Sequence, residues 1–132
     1  MPKKILIIDD DLMLAKLMRR RFITAGYEVL VVPDAILGNQ EAHQFKPDII
    51  ILDMMLPGGG GLSVLKGLES SVYTAAIPVL VITGLQRDCH EGYFKEISQF
   101  QVEGCLEKPF DGAKLLAEVE RVLEEHSPKS AA

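Results

Sequence analysis

Three adjacent carboxylates, Asp9, Asp10 and Asp11, follow the apolar run Ile5–Ile8. A fourth, Asp53, closes "DIIILD"; Thr83 closes "IPVLVIT"; Lys108 follows "GCLE" and precedes Pro109. Carboxylates clustered at one place repel one another, and something must relieve them: a cation, a lysine ammonium or solvent. Asp, Thr and Lys are also the side chains that ligate hard cations, donate hydroxyl hydrogen bonds and supply compact positive charge. Chemistry on an anionic group becomes possible only if the fold delivers all of them to one edge.

The elements between them make that delivery plausible. Apolar runs recur at Ile5–Ile8, Val29–Val32, Ile49–Leu52 and Ile77–Ile82, with a weaker one around Cys105–Leu106. They are short, rich in β-branched residues and free of polar alternation, which is the pattern of strands buried on both faces. Helical spacing fills the gaps. Leu14, Leu17, Met18 and Phe22 mark a first helix with Gly26 past its end, and Asp34 caps a second that runs toward Phe45 and is broken by Pro47-Asp48. Leu62, Leu65 and Leu68 mark a third, Tyr93, Phe94, Ile97 and Phe100 a fourth, and Leu115, Leu116, Val119, Val122 and Leu123 the last. Five strands alternating with five helices predict an α/β fold, a doubly wound parallel sheet with helices on both faces. In such a sheet polar groups gather beyond the carboxyl ends of the strands, where the strand order switches. Four strand ends would then bring several carboxylates, one hydroxyl and one ammonium together.

With 132 residues the chain is expected to form one domain, residues 1–126, and a small polar tail, 127–132, expected to be disordered. Fourteen basic against nineteen acidic residues leave a net charge of −5, no footprint for nucleic acid or an anionic membrane. No apolar run is long enough to span a bilayer, and no cleavable leader is visible. Cys89 and Cys105 are too few for a disulfide framework or zinc site, and read as two reduced thiols of a cytoplasmic protein.

The acidic pair after strand one, the Asp ending strand three and followed by "MMLPGG", the Thr after strand four and the Lys-Pro after strand five resemble the receiver domain of two-component response regulators, over residues 3 to about 125. The resemblance implies a flavodoxin-like five-stranded sheet of order 2-1-3-4-5, the order of the family's chemotaxis member. It implies that Asp53 is the phosphoacceptor, taking a phosphoryl group from a histidine kinase or phosphotransfer protein. It also implies that Asp10, Asp53 and the backbone carbonyl of Met55 bind Mg²⁺, with Asp9 acting through a water. Thr83 and Lys108 would contact the phosphoryl oxygens, and a cis peptide is expected at Lys108-Pro109. The implied protein is a signalling domain rather than an enzyme with turnover, partnered by its phosphodonor and by an unknown output protein or effector domain. Two residues after Asp53 and two after Thr83 the family places side chains that flank the hydrolytic water. Here Met55 and Leu85 stand there; neither can hold that water, so slow self-dephosphorylation follows.

Simpler roles compete for single residues. Asp11 suits a helix cap, Thr83 alone a cap, and Lys108 alone a solvated lysine. Gly58–Gly61 lacks the Lys-Ser or Lys-Thr of a phosphate loop and reads as a turn. His43, His90 and His126 have no ligand spacing. Two positions depart from the family pattern: Cys105 stands where an aromatic switch residue is usual, and Gly60 replaces an acidic or amide residue. Two rival functions remain. A phosphatase of the haloacid dehalogenase type would use Asp9-Asp10-Asp11 as its Asp-x-Asp, but Met13 stands where Thr or Val is wanted and Asp53 has no task. A degenerate receiver serving only as a binding module would not need the complete set of acceptor, acidic pair, Thr and Lys.

Overall fold

The structure is a computed structural model and describes residues 1–56, 60–84 and 97–126. Among these, five strands, β1 (Lys4–Ile8), β2 (Glu28–Val32), β3 (Ile49–Asp53), β4 (Val79–Thr83) and β5 (Val102–Glu107), form one parallel sheet of order β2-β1-β3-β4-β5. Four helices connect or follow them: α1 (Leu12–Thr24), α2 (Ala35–Gln44), α3 (Gly60–Glu69) and α4 (Gly112–Glu125). The fourth helix expected from Tyr93 and Phe94 lies outside the described residues, apart from Ile97, which is buried, and Phe100. Leu85, Cys89, His90, Gly58 and Gly59 also lie outside them, as does the tail 127–132.

The alternation of side chains along a strand divides the core into two layers. Leu6, Ile8, Ile50, Leu52, Val79 and Val81 pack with α2 and α3 through Ala42, Val64, Leu65 and Leu68. Their neighbours Ile5, Ile7, Ile49, Ile51, Leu80 and Ile82 pack with α1 and α4 through Met18, Phe22, Leu115, Val119 and Val122. Helices on both faces are therefore why β1, β3 and β4 read as unbroken apolar runs. Edge strand β5, which pairs only with β4 among the described strands, is half-buried over most of its length and gave the weakest signal.

Local chemistry sets the helix boundaries. Asp11, Asp34 and Asp111 cap α1, α2 and α4, each side chain accepting from a backbone N–H of the first turn. Gly26, at φ 99°, ends the α1 segment in the left-handed region that glycine enters freely. One expected core position fails. Leu17 is 65% exposed, because the buried stripe of α1 is Ala15, Met18 and Phe22, and Leu17 sits about 100° around the helix from Met18. Cys105 is disulfide-bonded rather than a reduced thiol. Spacing in sequence says nothing of distance in the fold, so the sequence reading could not see this.

Candidate functional site

The carboxyl ends of β1, β3, β4 and β5 meet at one edge, because the order β2-β1-β3-β4-β5 sets β1, β3 and β4 side by side at its centre. Register carries the residues there: Ile8 pairs with Leu52, Asp53 with Ile82, and Thr83 with Glu107. Backbone bonds beyond the strands extend the edge. Asp9 N–H donates to Val32, Met54 N–H to Ile82, and Lys108 N–H to the Thr83 carbonyl at 2.7 Å.

Carboxylate oxygens of Asp9, Asp10 and Asp53 all lie within 4.8 Å of one another. Asp9 and Asp53 are buried, at 0% and 3% exposure, while Asp10 faces solvent. Lys108 Nζ stands 3.1 Å from Asp53 Oδ2 and 3.5 Å from Asp9 Oδ2, with the lysine side chain about one-fifth exposed (21%). One ammonium thus bridges two buried carboxylates, which answers part of the repulsion the sequence raised. Each carboxylate is also aimed by its own turn. Asp53 Oδ1 accepts from Met55 N–H at 2.9 Å, and Asp9 Oδ1 accepts from Asp11 N–H at 2.9 Å. Both bonds run from residue i+2 back to an Asp side chain, a local arrangement these residues favour. Asp11 in turn spends its side chain on Leu14 N–H at 3.1 Å, the capping role expected of it.

The repulsion is not fully answered. Asp9 Oδ2 is buried and has no hydrogen bond. Burial first, and then the neighbouring Asp53, raise the Asp9 pKa from 3.8 to about 6 against the opposing pull of the Asp11 amide and Lys108. For Lys108, burial disfavours the charged form, but the carboxylates of Asp53 and Asp9 outweigh it and hold its pKa above the ordinary value. A buried, unsatisfied carboxylate oxygen beside two further carboxylates, all hard oxygen donors, fits a divalent cation of the magnesium type.

Of the residues expected at the site, Asp9, Asp10, Asp53 and Lys108 converge. Thr83 is fully buried at the end of β4, the strand beside Asp53. Met55 follows two residues after Asp53 with its side chain 58% exposed at the rim. Leu85 lies outside the described residues. The Lys108-Pro109 peptide is cis, as expected. What sequence reasoning missed are the two backbone amides of Asp11 and Met55; an Asp followed by a turn was the available signal. Gly61 keeps the return from Asp53 tight, since a Cβ there would lie 2.7 Å from Met54 Cα. His43 and His126 sit away from this edge, bonded to Ser71 and Glu103.

Residues 5–120 match the family model described as the response regulator receiver domain. The chain belongs to that family. It is thus a phosphoacceptor signalling domain of two-component systems. It is 39% identical over 122 residues, 91% of its length, to the "DNA-binding dual master transcriptional regulator RpaA" of Synechocystis sp., of which it covers 48%. It is 28% identical to the "polar-differentiation response regulator DivK" of Brucella anthropi, covering 93% of this chain and 98% of that protein. Among solved structures it is similar to a putative response regulator from Chloroflexus aurantiacus, with TM-score 0.84, 27% identity and coverage of 94% of this chain and 99% of the other. It shares the fold of the receiver domain of sensor histidine kinase PA1611 from Pseudomonas aeruginosa, whose structure holds a magnesium ion in the active site cleft. There the TM-score is 0.78 at 24% identity, over 94% of this chain and 99% of that one. The chain spans about half the length of the first curated relatives it matches, 48% and 54%. One of those is named as DNA-binding, so the expectation of no nucleic-acid contact, read from the charge of this domain, finds no support among them. No helix among the described residues is long and apolar enough to cross a membrane. Family membership leaves the phosphatase reading without a basis.

Proposed function

We propose that Asp53 accepts a phosphoryl group from the phosphohistidine of a histidine kinase or phosphotransfer protein, and that the domain thereby changes the surface it offers to an output partner or effector domain. The observation that carries this reading is the setting of Asp53. Its carboxylate is buried at the end of β3, held by Met55 N–H on one oxygen and by Lys108 on the other, within 4.8 Å of Asp9 and Asp10. An Asp53 oxygen attacks phosphorus, the phosphorus–nitrogen bond breaks, and its electron pair leaves on the imidazole nitrogen of the donor. With a proton on the other nitrogen of the donor ring, an acyl phosphate on Asp53 and a neutral histidine result.

Asp10, Asp53 and the Met55 carbonyl would hold Mg²⁺, with Asp9 acting through a water. The ion would neutralise charge on the transferred group and so let one anion approach another. Lys108 moves its charge from the resting carboxylates toward a phosphoryl oxygen, and the Thr83 hydroxyl donates to another. Because Lys108 N–H is already bonded to the Thr83 carbonyl, β4 and β5 respond together. Met55 stands at the rim where a polar residue would be needed to hold a hydrolytic water, so the phosphoryl group is long-lived. Cytoplasmic placement follows from the same reading, since kinase and receiver must share a compartment.

The test is incubation with acetyl phosphate, with and without Mg²⁺, followed by intact mass. A single acid-stable, base-labile phosphoryl group that needs Mg²⁺ and is absent in Asp53→Asn is expected. Labelling at full extent in that variant would refute the assignment.

A further inference from the structure

Cys105 is disulfide-bonded, and the sequence holds one other cysteine, Cys89, which lies outside the described residues. Within the chain, Cys89 is therefore its one available partner. Cys105 stands on β5 opposite Val81 of β4, two residues before Glu107, which pairs with Thr83. Lys108 follows, its N–H bonded to the Thr83 carbonyl at 2.7 Å. The Cys105 side chain is half-buried and, like Phe100 and Val102, packs against the core layer that holds Val79, Val81 and Ile97. The residue also borders a surface cavity of about 530 Å³, shared with Glu107, Pro109, Asp111 and Lys114. One flank of it is thus within reach of a small thiol.

We propose that Cys89 and Cys105 form a reversible disulfide that restrains the response of the Asp53 site to phosphorylation; the proposal rests on the reading of Asp53 given above. In chain order Cys89 comes after Thr83, the hydroxyl-bearing residue that ends β4. The disulfide therefore ties the stretch that Thr83 leads into to β5, just ahead of Lys108. Thr83 and Lys108 are the two groups that turn toward phosphoryl oxygens. With the tie in place, the chain after Thr83 moves only together with β5, and the response stays small. With the tie broken, that stretch follows Thr83. Asp9, Asp10 and Asp53 are the same in both forms, so uptake of the phosphoryl group does not depend on the bond.

The switch runs by thiol–disulfide exchange with a dithiol. A thiolate of the dithiol attacks one sulfur, the bond between the two cysteines breaks, and its electron pair leaves on the other cysteine. The second sulfur of the dithiol then closes its own disulfide and releases the first cysteine. Two electrons and two protons have passed to the protein, and an oxidised dithiol reverses the exchange. In the compartment of a cytoplasmic kinase, where such dithiols are kept reduced, a disulfide is more often a redox sensor than a staple.

The test compares the full chain treated with oxidised glutathione and with dithiothreitol. Alkylation and intact mass count the thiols, and acetyl phosphate with Mg²⁺ supplies the phosphoryl group. The oxidised chain should take no alkyl group and the reduced chain two, with equal phosphoryl uptake. Amide shift changes on phosphorylation in β4 and β5 should be at least about twofold smaller in the oxidised form. Cys89→Ser and Cys105→Ser should each respond as the reduced form does, whether or not dithiothreitol is present. Two alkylated thiols after oxidation overturn the proposal, as does a disulfide found only between two copies. Equal shift changes in phosphorylated oxidised and reduced chains refute the restraint alone. A chain that takes no phosphoryl group in either form refutes the reading of Asp53, and the restraint with it.

Discussion

Asp9 is the residue in which the site's electrostatic cost is stored. Its pKa in the fold, about 6, stands above 3.8, so the metal-free folded state binds more protons than the unfolded state between those values. The stability tied to this group is present below pH about 4 and is lost as pH rises through about 6. Without Mg²⁺, Asp9→Asn should therefore be more stable than wild type at pH 7.5, by ~1–2 kcal/mol, with the gain fading toward pH 4. Thermal melts in chelator across that range check it; a variant less stable than wild type at pH 7.5 would contradict the account. Lys108 is the complementary case. Lys108→Ala should still take a phosphoryl group from acetyl phosphate, since the nucleophile and the acidic pair remain. Amide chemical-shift changes on phosphorylation should shrink, because the phosphorylated form loses a charge-assisted contact. Shifts of wild-type size in the variant would remove Lys108 from the coupling.

At the scale of elements, the apolar runs and the helix caps were legible because each is a local matter. Asp34 was readable as a cap, and its side chain does accept from Leu37 N–H at 2.8 Å. Asp34→Ala should cost about 1 kcal/mol in chemical denaturation and leave phosphorylation intact. The site was legible for a related reason: a strand end is a short sequence pattern, and five parallel strands bring their ends to one edge. What was not legible depends on three-dimensional neighbours. Leu17 has the apolar character of a core residue but the wrong angle around α1. Cys105 gives no sign in sequence of its bonded state. Nor does spacing reveal that Lys108 reaches two carboxylates at once, or that Asp9 Oδ2 is left without a hydrogen bond. The turn after Asp53 carries a functional consequence, since Met55 rather than an amide or acid stands at the rim. Met55→Asn combined with Leu85→Glu should speed loss of the phosphoryl group by roughly tenfold, about 1.4 kcal/mol of barrier. Decay after donor removal at fixed Mg²⁺ measures it; equal rates would end the shielding argument.

The whole molecule is a two-layered core holding one reactive edge. Nearly all of its buried apolar residues belong to the sheet and the helix faces packed on it, while the polar groups buried at the strand ends, Asp9, Asp53 and Thr83, belong to the site. That division lets the edge carry charge strain without disturbing the core, and it makes one residue the focus of the account. The most direct test is to trap the acyl phosphate formed with acetyl phosphate and Mg²⁺ by borohydride reduction and map the modified residue by peptide mass spectrometry. Reduction at Asp53 alone is the predicted result. Modification at Asp9 or Asp10, or a phosphoryl group found on a histidine instead, would contradict it.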